Sequence, residues 1–223
     1  MHNGRGLARQ TWPNLKCAIK PVLEKNSTIM SRNLITISEK EYLALDADSD
    51  IRYEYADGEI FAMAGASRHH NLITSNAHVS LANQLRNRPC EVYQSDMRVQ
   101  TKVDSAYRYP DIVVVCAVPL FADTNPVSLT NPTLIIEVLS ESTAERDYEQ
   151  KSREYRQMPT VQEYVLISQT TARIQRYLKQ DDVNWLYTDL TGLDQNLHLQ
   201  SIDCTLEFVE VFRRVDFEVS DSD

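Results

Sequence analysis

The run Leu134-Ile135-Ile136-Glu137-Val138-Leu139 constrains this chain more than any other segment. It is short and β-branched, with apolar residues on both sides of one carboxylate, and Pro132 and the polar Ser140-Glu141-Ser142 bound it. Such a run reads as a strand buried on both faces, which requires a sheet covered on each side. Ile112-Val113-Val114-Val115-Cys116, after Pro110-Asp111, has the same character. Strand and helix patterns mix along the chain without strict alternation. The expected class is therefore α/β or α+β around one sheet.

Helix starts are legible. Ser38-Glu39-Lys40-Glu41 is a capping box, in which a helix-opening serine is answered by a glutamate three residues on. Ser67 can cap a second helix whose Ile73, Ala77, Leu81 and Leu85 recur every fourth residue as one buried stripe,. Ser142 or Thr143 can open a third, running to about Gln157 ahead of Pro159. Residues 51–55 and 59–63 flank Asp57-Gly58, a hairpin turn signal,. Residues 91–102 read as one strand, and 163–167, 173–178 and 183–188 as a meander.

At 223 residues the chain fits one domain, expected over residues 31–215, with an acidic frayed tail over 216–223,. Residues 1–29 carry five basic residues against Glu24 alone. They read either as a disordered extension to residue 30 or as sequence upstream of a true start at Met30. No apolar run reaches the ~18 residues of a membrane span, and Arg9, Asn14 and Lys16 break any leader-like stretch,. The four cysteines are scattered, form no metal-binding pair and do not read as a disulfide framework,. A cytoplasmic protein is expected. The net charge of −9 argues against a surface that coats duplex nucleic acid,. Contact with DNA then needs a local basic patch, drawn from Arg68, Arg86, Arg88, Arg98, Lys102, Arg108, Lys151, Arg153 and Arg156, unless these simply form a solvated mixed-charge surface.

Charges inside apolar strands are costly unless paired or on a metal. Asp111 and Glu137 can converge on one hard cation if their strands are neighbours, with the Val138 carbonyl as a further oxygen donor. Alternatively, Asp111 bonds a turn at a strand start and Glu137 pairs with a core arginine. Lys151 stands four residues after Asp147; it either forms an ordinary helix-surface pair with it or reaches back toward the Glu137 strand. Glu59, just past the turn, is a solvated hairpin residue or a site carboxylate. His70 shares the Ile73 stripe near the helix start, as a core histidine or a site residue. His69 lies about 100° around the helix from it.

Pro110-Asp111, Glu137-Val138-Leu139-Ser140-Glu141-Ser142-Thr143, then Asp147, Lys151 and Tyr155 closely resemble the Uma2 family of the PD-(D/E)XK nuclease superfamily. Tyr53-Glu54, Asp57-Gly58-Glu59 and Glu163-Tyr164 extend the likeness over roughly residues 37–211. The resemblance implies a restriction-endonuclease-like core, a central mixed β-sheet flanked by helices, with the site at the sheet's centre. It implies metal-dependent cleavage of a DNA substrate, with Mg²⁺ or Mn²⁺ on Asp111 and Glu137. The superfamily lysine normally stands two residues after the acid, where this chain has Leu139. The resemblance moves that role to Lys151 on the following helix, and adds Glu59 and His70 as lining residues. A homodimer would suit cutting of both strands. The missing strand lysine also fits another reading, a non-catalytic interaction module on a nuclease fold. No GxSxG, P-loop or HExxH points to another enzyme class,.

Overall fold

The computed structural model describes residues 36–63, 65–102, 106–140 and 144–217. The expectations for residues 1–30, for a cap at Ser142 or Thr143 and for the tail beyond Phe217 lie outside the described residues. Helix α1 (Glu39–Ala47) opens on the capping box, with Glu41 N–H donating to Ser38 Oγ at 3.3 Å and Ser38 N–H to Glu41 Oε2 at 2.8 Å. Strands β1 (Tyr53–Ala56) and β2 (Glu59–Ala62) form the hairpin. Its turn uses two left-handed residues, Asp57 at φ +47° and Gly58 at φ +94°,. A side chain at Gly58 would also meet Thr36 Cβ at 3.1 Å.

Helix α2 (Arg68–Leu85) starts at Ser67, whose Oγ accepts the His70 N–H at 3.1 Å. There follow β3 (Glu91–Gln94), β4 (Val99–Lys102), β5 (Ala106–Arg108), β6 (Ile112–Val115), β7 (Phe121–Ala122), β8 (Ser128–Leu129) and β9 (Leu134–Leu139). Helix α3 spans residues 144–157, with a π-helical turn at Asp147–Lys151 between α-helical ends. The chain then forms β10 (Glu163–Ser168), β11 (Arg173–Lys179), β12 (Trp185–Thr191), the hairpin β13 (Asn196–Leu199) and β14 (Cys204–Glu207), and α4 (Phe208–Val211).

The central sheet runs β12-β11-β10-β9-β6-β3. Only β9 and β10 are parallel in it, and parallel neighbours need a crossover, which α3 provides,. Alternation along the strands divides the core in two. Ile112, Val114, Ile136 and Val138 pack with the α2 stripe and with Leu197, Leu206 and Phe208 of the C-terminal segment. Val113, Ile135 and Leu139 pack with Tyr155 of α3 and Tyr164 of β10 on the other side. Each fully buried Leu or Ile of the stripe contributes about 1.5–3 kcal/mol.

The single-sheet expectation needs correction. A second six-stranded sheet runs β2-β1-β5-β4-β8-β7, and the β13-β14 hairpin forms a two-stranded sheet of its own. Residues 91–102 do not form one strand, because Ser95 takes a left-handed φ of +36° and sends β3 and β4 into different sheets. The cysteines need correction too: Cys90 and Cys116 form a disulfide, with Cα atoms 4.1 Å apart. They flank the facing strands β3 and β6, so pairing register joins them, and their separation of 26 residues gives no hint of it. Among the described residues no helix is long and apolar enough to cross a membrane.

Candidate active site

The antiparallel register that pairs Ile112 with Ile136 brings Asp111, one residue earlier, beside Glu137. The Asp111 N–H donates to Glu137 Oε2 at 3.3 Å, and the Val138 N–H donates to Asp111 Oδ2 at 2.7 Å. Glu137 projects on the face of Ile135 and Leu139, toward α3. There its Oε1 accepts from Lys151 Nζ at 3.0 Å and from the Tyr155 hydroxyl at 2.9 Å. From α2, His70 Nε2 reaches Asp111 Oδ2 at 3.2 Å.

Lys151 is 5 % exposed and touches three acids. Its Nζ lies 2.9 Å from Glu54 Oε1, 3.0 Å from Glu137 Oε1 and 3.1 Å from Asp147 Oδ1. The π-helical turn places Asp147 and Lys151 together on the buried side of α3, in keeping with the frequent use of such turns at functional sites. Glu54 is held from its far side by Arg146 at 3.0 Å and Arg108 at 3.5 Å, and Arg108 continues to Glu154 at 2.7 Å.

These contacts set the protonation states. Burial alone would raise the Glu54 pKa, but Lys151, Arg108 and Arg146 outweigh it and hold the carboxyl below its usual range. Glu137 goes the other way. Burial pushes it up, Lys151 pulls against that, and Asp147, Asp111 and Glu54 add to the rise. Burial opposes the charged form of Lys151, yet Glu137, Glu54 and Asp147 more than compensate and raise its pKa. Burial likewise disfavours a charged His70, but the Asp111 hydrogen bond and the charges of Asp111 and Asp147 lift it above the usual histidine value.

Asp111, Glu137, Val138, Lys151 and His70 all line one cavity of about 840 Å³. Glu59 does not. It pairs with Ala56 at the turn end of the hairpin, while Glu54, opposite Phe61, is the hairpin acid that lines the cavity. Glu54 and Asp147, which in the sequence stand only as parts of a motif, line the cavity as further carboxylates. The available signal for Glu54 was a charge between the aromatic strand residues Tyr53 and Tyr55. The basic-patch candidates divide as well. Arg98 and Arg108 are fully buried on internal carboxylates, and Arg88 pairs with Asp203 at 3.1 Å.

The donor set suits a hard cation. The two acids on neighbouring strands offer oxygen only, and Asp111 Oδ1 takes none of the bonds above. Among the described residues no group of three or more His, Cys, Asp and Glu is arranged to hold a metal. Two carboxylates with water and substrate oxygens is a usual way to hold Mg²⁺.

The Uma2 family profile, described as "Putative restriction endonuclease", matches residues 39–210. The chain belongs to the Uma2 family. It is 40% identical over 156 residues to an uncharacterized protein of Synechocystis sp., sll1609, covering 70% of this chain and 88% of that one. A second, slr1290, is 34% identical over 181 residues, covering 81% and 94%. The fold also resembles a crystal structure from Anabaena variabilis described as a putative nuclease belonging to DUF820. The TM-score is 0.63 at 17% identity, over 79% of this chain and 97% of that one. The Uma2 domain shares its fold with that protein, and the family's description points to nuclease chemistry.

Proposed function

We propose that this Uma2 protein is a metal-dependent endonuclease that hydrolyses DNA phosphodiester bonds. The observation that carries the reading is the facing pair Asp111 and Glu137, with Lys151 on Glu137, at the wall of an open cavity. Asp111 and Glu137 would hold Mg²⁺ or Mn²⁺, with the Val138 carbonyl as a further donor. Such an ion supplies Lewis-acid polarisation of the phosphoryl group and a more acidic water. The protein's own groups do the rest. His70 and the Val138 N–H orient the Asp111 carboxylate. Tyr155 and Lys151 fix Glu137 Oε1 and leave Oε2 toward Asp111. Lys151, with its raised pKa, acts as a fixed positive charge and not as a base,.

Two such sites in a homodimer would cut both strands. The reading puts the protein with DNA in the cytoplasm, where the Cys90–Cys116 bond would be held reduced; neither sulfur lines the cavity. One observation favours the non-catalytic alternative: the Lys151 ammonium is already engaged by three carboxylates. Supercoiled plasmid and single-stranded DNA, incubated with Mg²⁺ or Mn²⁺, separate the two. Cutting that disappears in Glu137→Ala and in excess chelator supports the nuclease. Metal binding without cutting moves the protein to the non-catalytic alternative.

A further inference from the structure

A row of tyrosines crosses the central sheet on its α3 side. Ring centroids of Tyr155 in α3 and Tyr164 in β10 are 5.2 Å apart, those of Tyr164 and Tyr177 in β11 6.3 Å, and those of Tyr177 and Tyr187 in β12 5.1 Å. Strand register builds the row, because Tyr164, Tyr177 and Tyr187 stand directly opposite one another on consecutive strands. Burial falls along it. Tyr155 and Tyr164 are fully buried, Tyr177 is half-buried, and Tyr187, on the last strand of the sheet, is 45 % exposed. Trp185, two residues before Tyr187, shares its face and is half-buried,.

The cations beside this open end are free, in a chain of net charge −9. Arg156 lies over the Tyr177 ring, 4.8 Å from its centroid, and its Nε donates to the Ser152 carbonyl at 3.0 Å. Arg153, three residues earlier on the same helix, is exposed. Among the described residues neither guanidinium forms an ion pair. On the strands the cations are spent, Arg173 on Asp189 at 2.5 Å and Lys179 on Asp182 at 3.2 Å. The row also connects with the cavity. Tyr148, next after the cavity-lining Asp147, donates to Gln175, whose amide donates to the Tyr187 hydroxyl.

Aromatic rings beside unpaired arginines match an unpaired polynucleotide strand, whose bases all offer a π-face and whose backbone carries a phosphate at each step. Bases stacked inside a duplex have no such face to give. We propose that Tyr187 and Trp185, with Arg153 and Arg156, form a docking platform for single-stranded DNA, bases on the rings and phosphates on the arginines. The proposal deepens the nuclease reading by naming an unpaired strand as substrate, and rests on that reading only for the cutting.

Fluorescence anisotropy of a labelled oligothymidylate, in excess chelator so that no strand is cut, tests the platform. Tyr187→Ala, and Arg153→Gln with Arg156→Gln, should each weaken binding about fivefold or more. The double arginine variant should also flatten the slope of log Kd against log salt by about 1.4, at about 0.7 for each single-strand phosphate. Tyr187→Phe keeps the ring and should bind as wild type does. A blunt duplex of equal length should respond to Tyr187→Ala by less than about twofold. Unchanged single-strand binding in Tyr187→Ala, an equal loss for the duplex, or a wild type that binds no single strand overturns the proposal. If Tyr187→Ala does not fold, Tyr187→Leu, which keeps apolar bulk without a flat ring, is measured against the same outcomes. The nuclease reading fails separately: binding that responds to these variants, with no cutting under Mg²⁺ or Mn²⁺, upholds the platform and sinks the nuclease.

Discussion

Asp111 and Glu137 bind each other through the backbone: the Asp111 N–H donates to Glu137 Oε2 at 3.3 Å, and Asp111 Oδ2 accepts the N–H of the next residue, Val138, at 2.7 Å. Each acid is thus oriented by a backbone group beside the other, before any ligand arrives. Such preorganisation is what a metal or phosphate site requires.

Asp111→Asn and Glu137→Ala should each reduce metal-dependent DNA cleavage by more than about 100-fold, a loss of ~2.7 kcal/mol in transition-state stabilisation. Initial rates on supercoiled plasmid, with circular dichroism to show retained folding, check this. A variant within tenfold of wild type would place the chemistry elsewhere.

Tyr155→Phe removes one donor from buried Glu137 Oε1 and leaves Lys151 in place. A destabilisation of about 1–2 kcal/mol is expected in urea unfolding. Lys151→Met without divalent ions leaves three acids facing one another and should cost about 3–5 kcal/mol.

Away from the cavity, Arg98 is fully buried, bonds Asp46 at 2.8 Å and stacks on Tyr107 with 5.0 Å to the ring centroid. Arg98→Met should destabilise by about 3–5 kcal/mol, because Asp46 is then left buried without its cation. DNA binding by the folded fraction should be unchanged, since Arg98 contacts internal groups and does not line the cavity. Unfolding curves and a filter-binding assay measure the two effects.

The acid limb of the pH dependence of stability follows from Glu54, while Glu137, with its raised pKa, contributes with the opposite sign at higher pH,. The folded pKa of Glu54 lies below the ordinary carboxyl value. Its contribution is then fully present above the unfolded pKa and is lost as pH falls through the folded one. Wild type should lose stability as pH drops below about 4.5, and Glu54→Gln should show a shallower loss over the same window. Parallel urea titrations at pH 7 and pH 4 check the slope difference.

The apolar runs of β6 and β9, the capping box at Ser38 and the Asp57-Gly58 turn were legible because each depends on neighbours within a few residues. The same local logic singled out Asp111 and Glu137, since a carboxylate inside or at the head of a buried strand is anomalous on its face. The split of residues 91–102 at Ser95, the Cys90–Cys116 pairing and the choice of Glu54 over Glu59 were not legible. Each depends on strand register and on which sheet a segment joins, and those are set by contacts between distant parts of the chain. Lys151 shows the division best. From sequence it is one member of an i,i+4 pair with Asp147. Only the folding of β1 and β9 around α3 adds Glu54 and Glu137 to that pair, and burial turns a surface-type contact into a buried charge cluster.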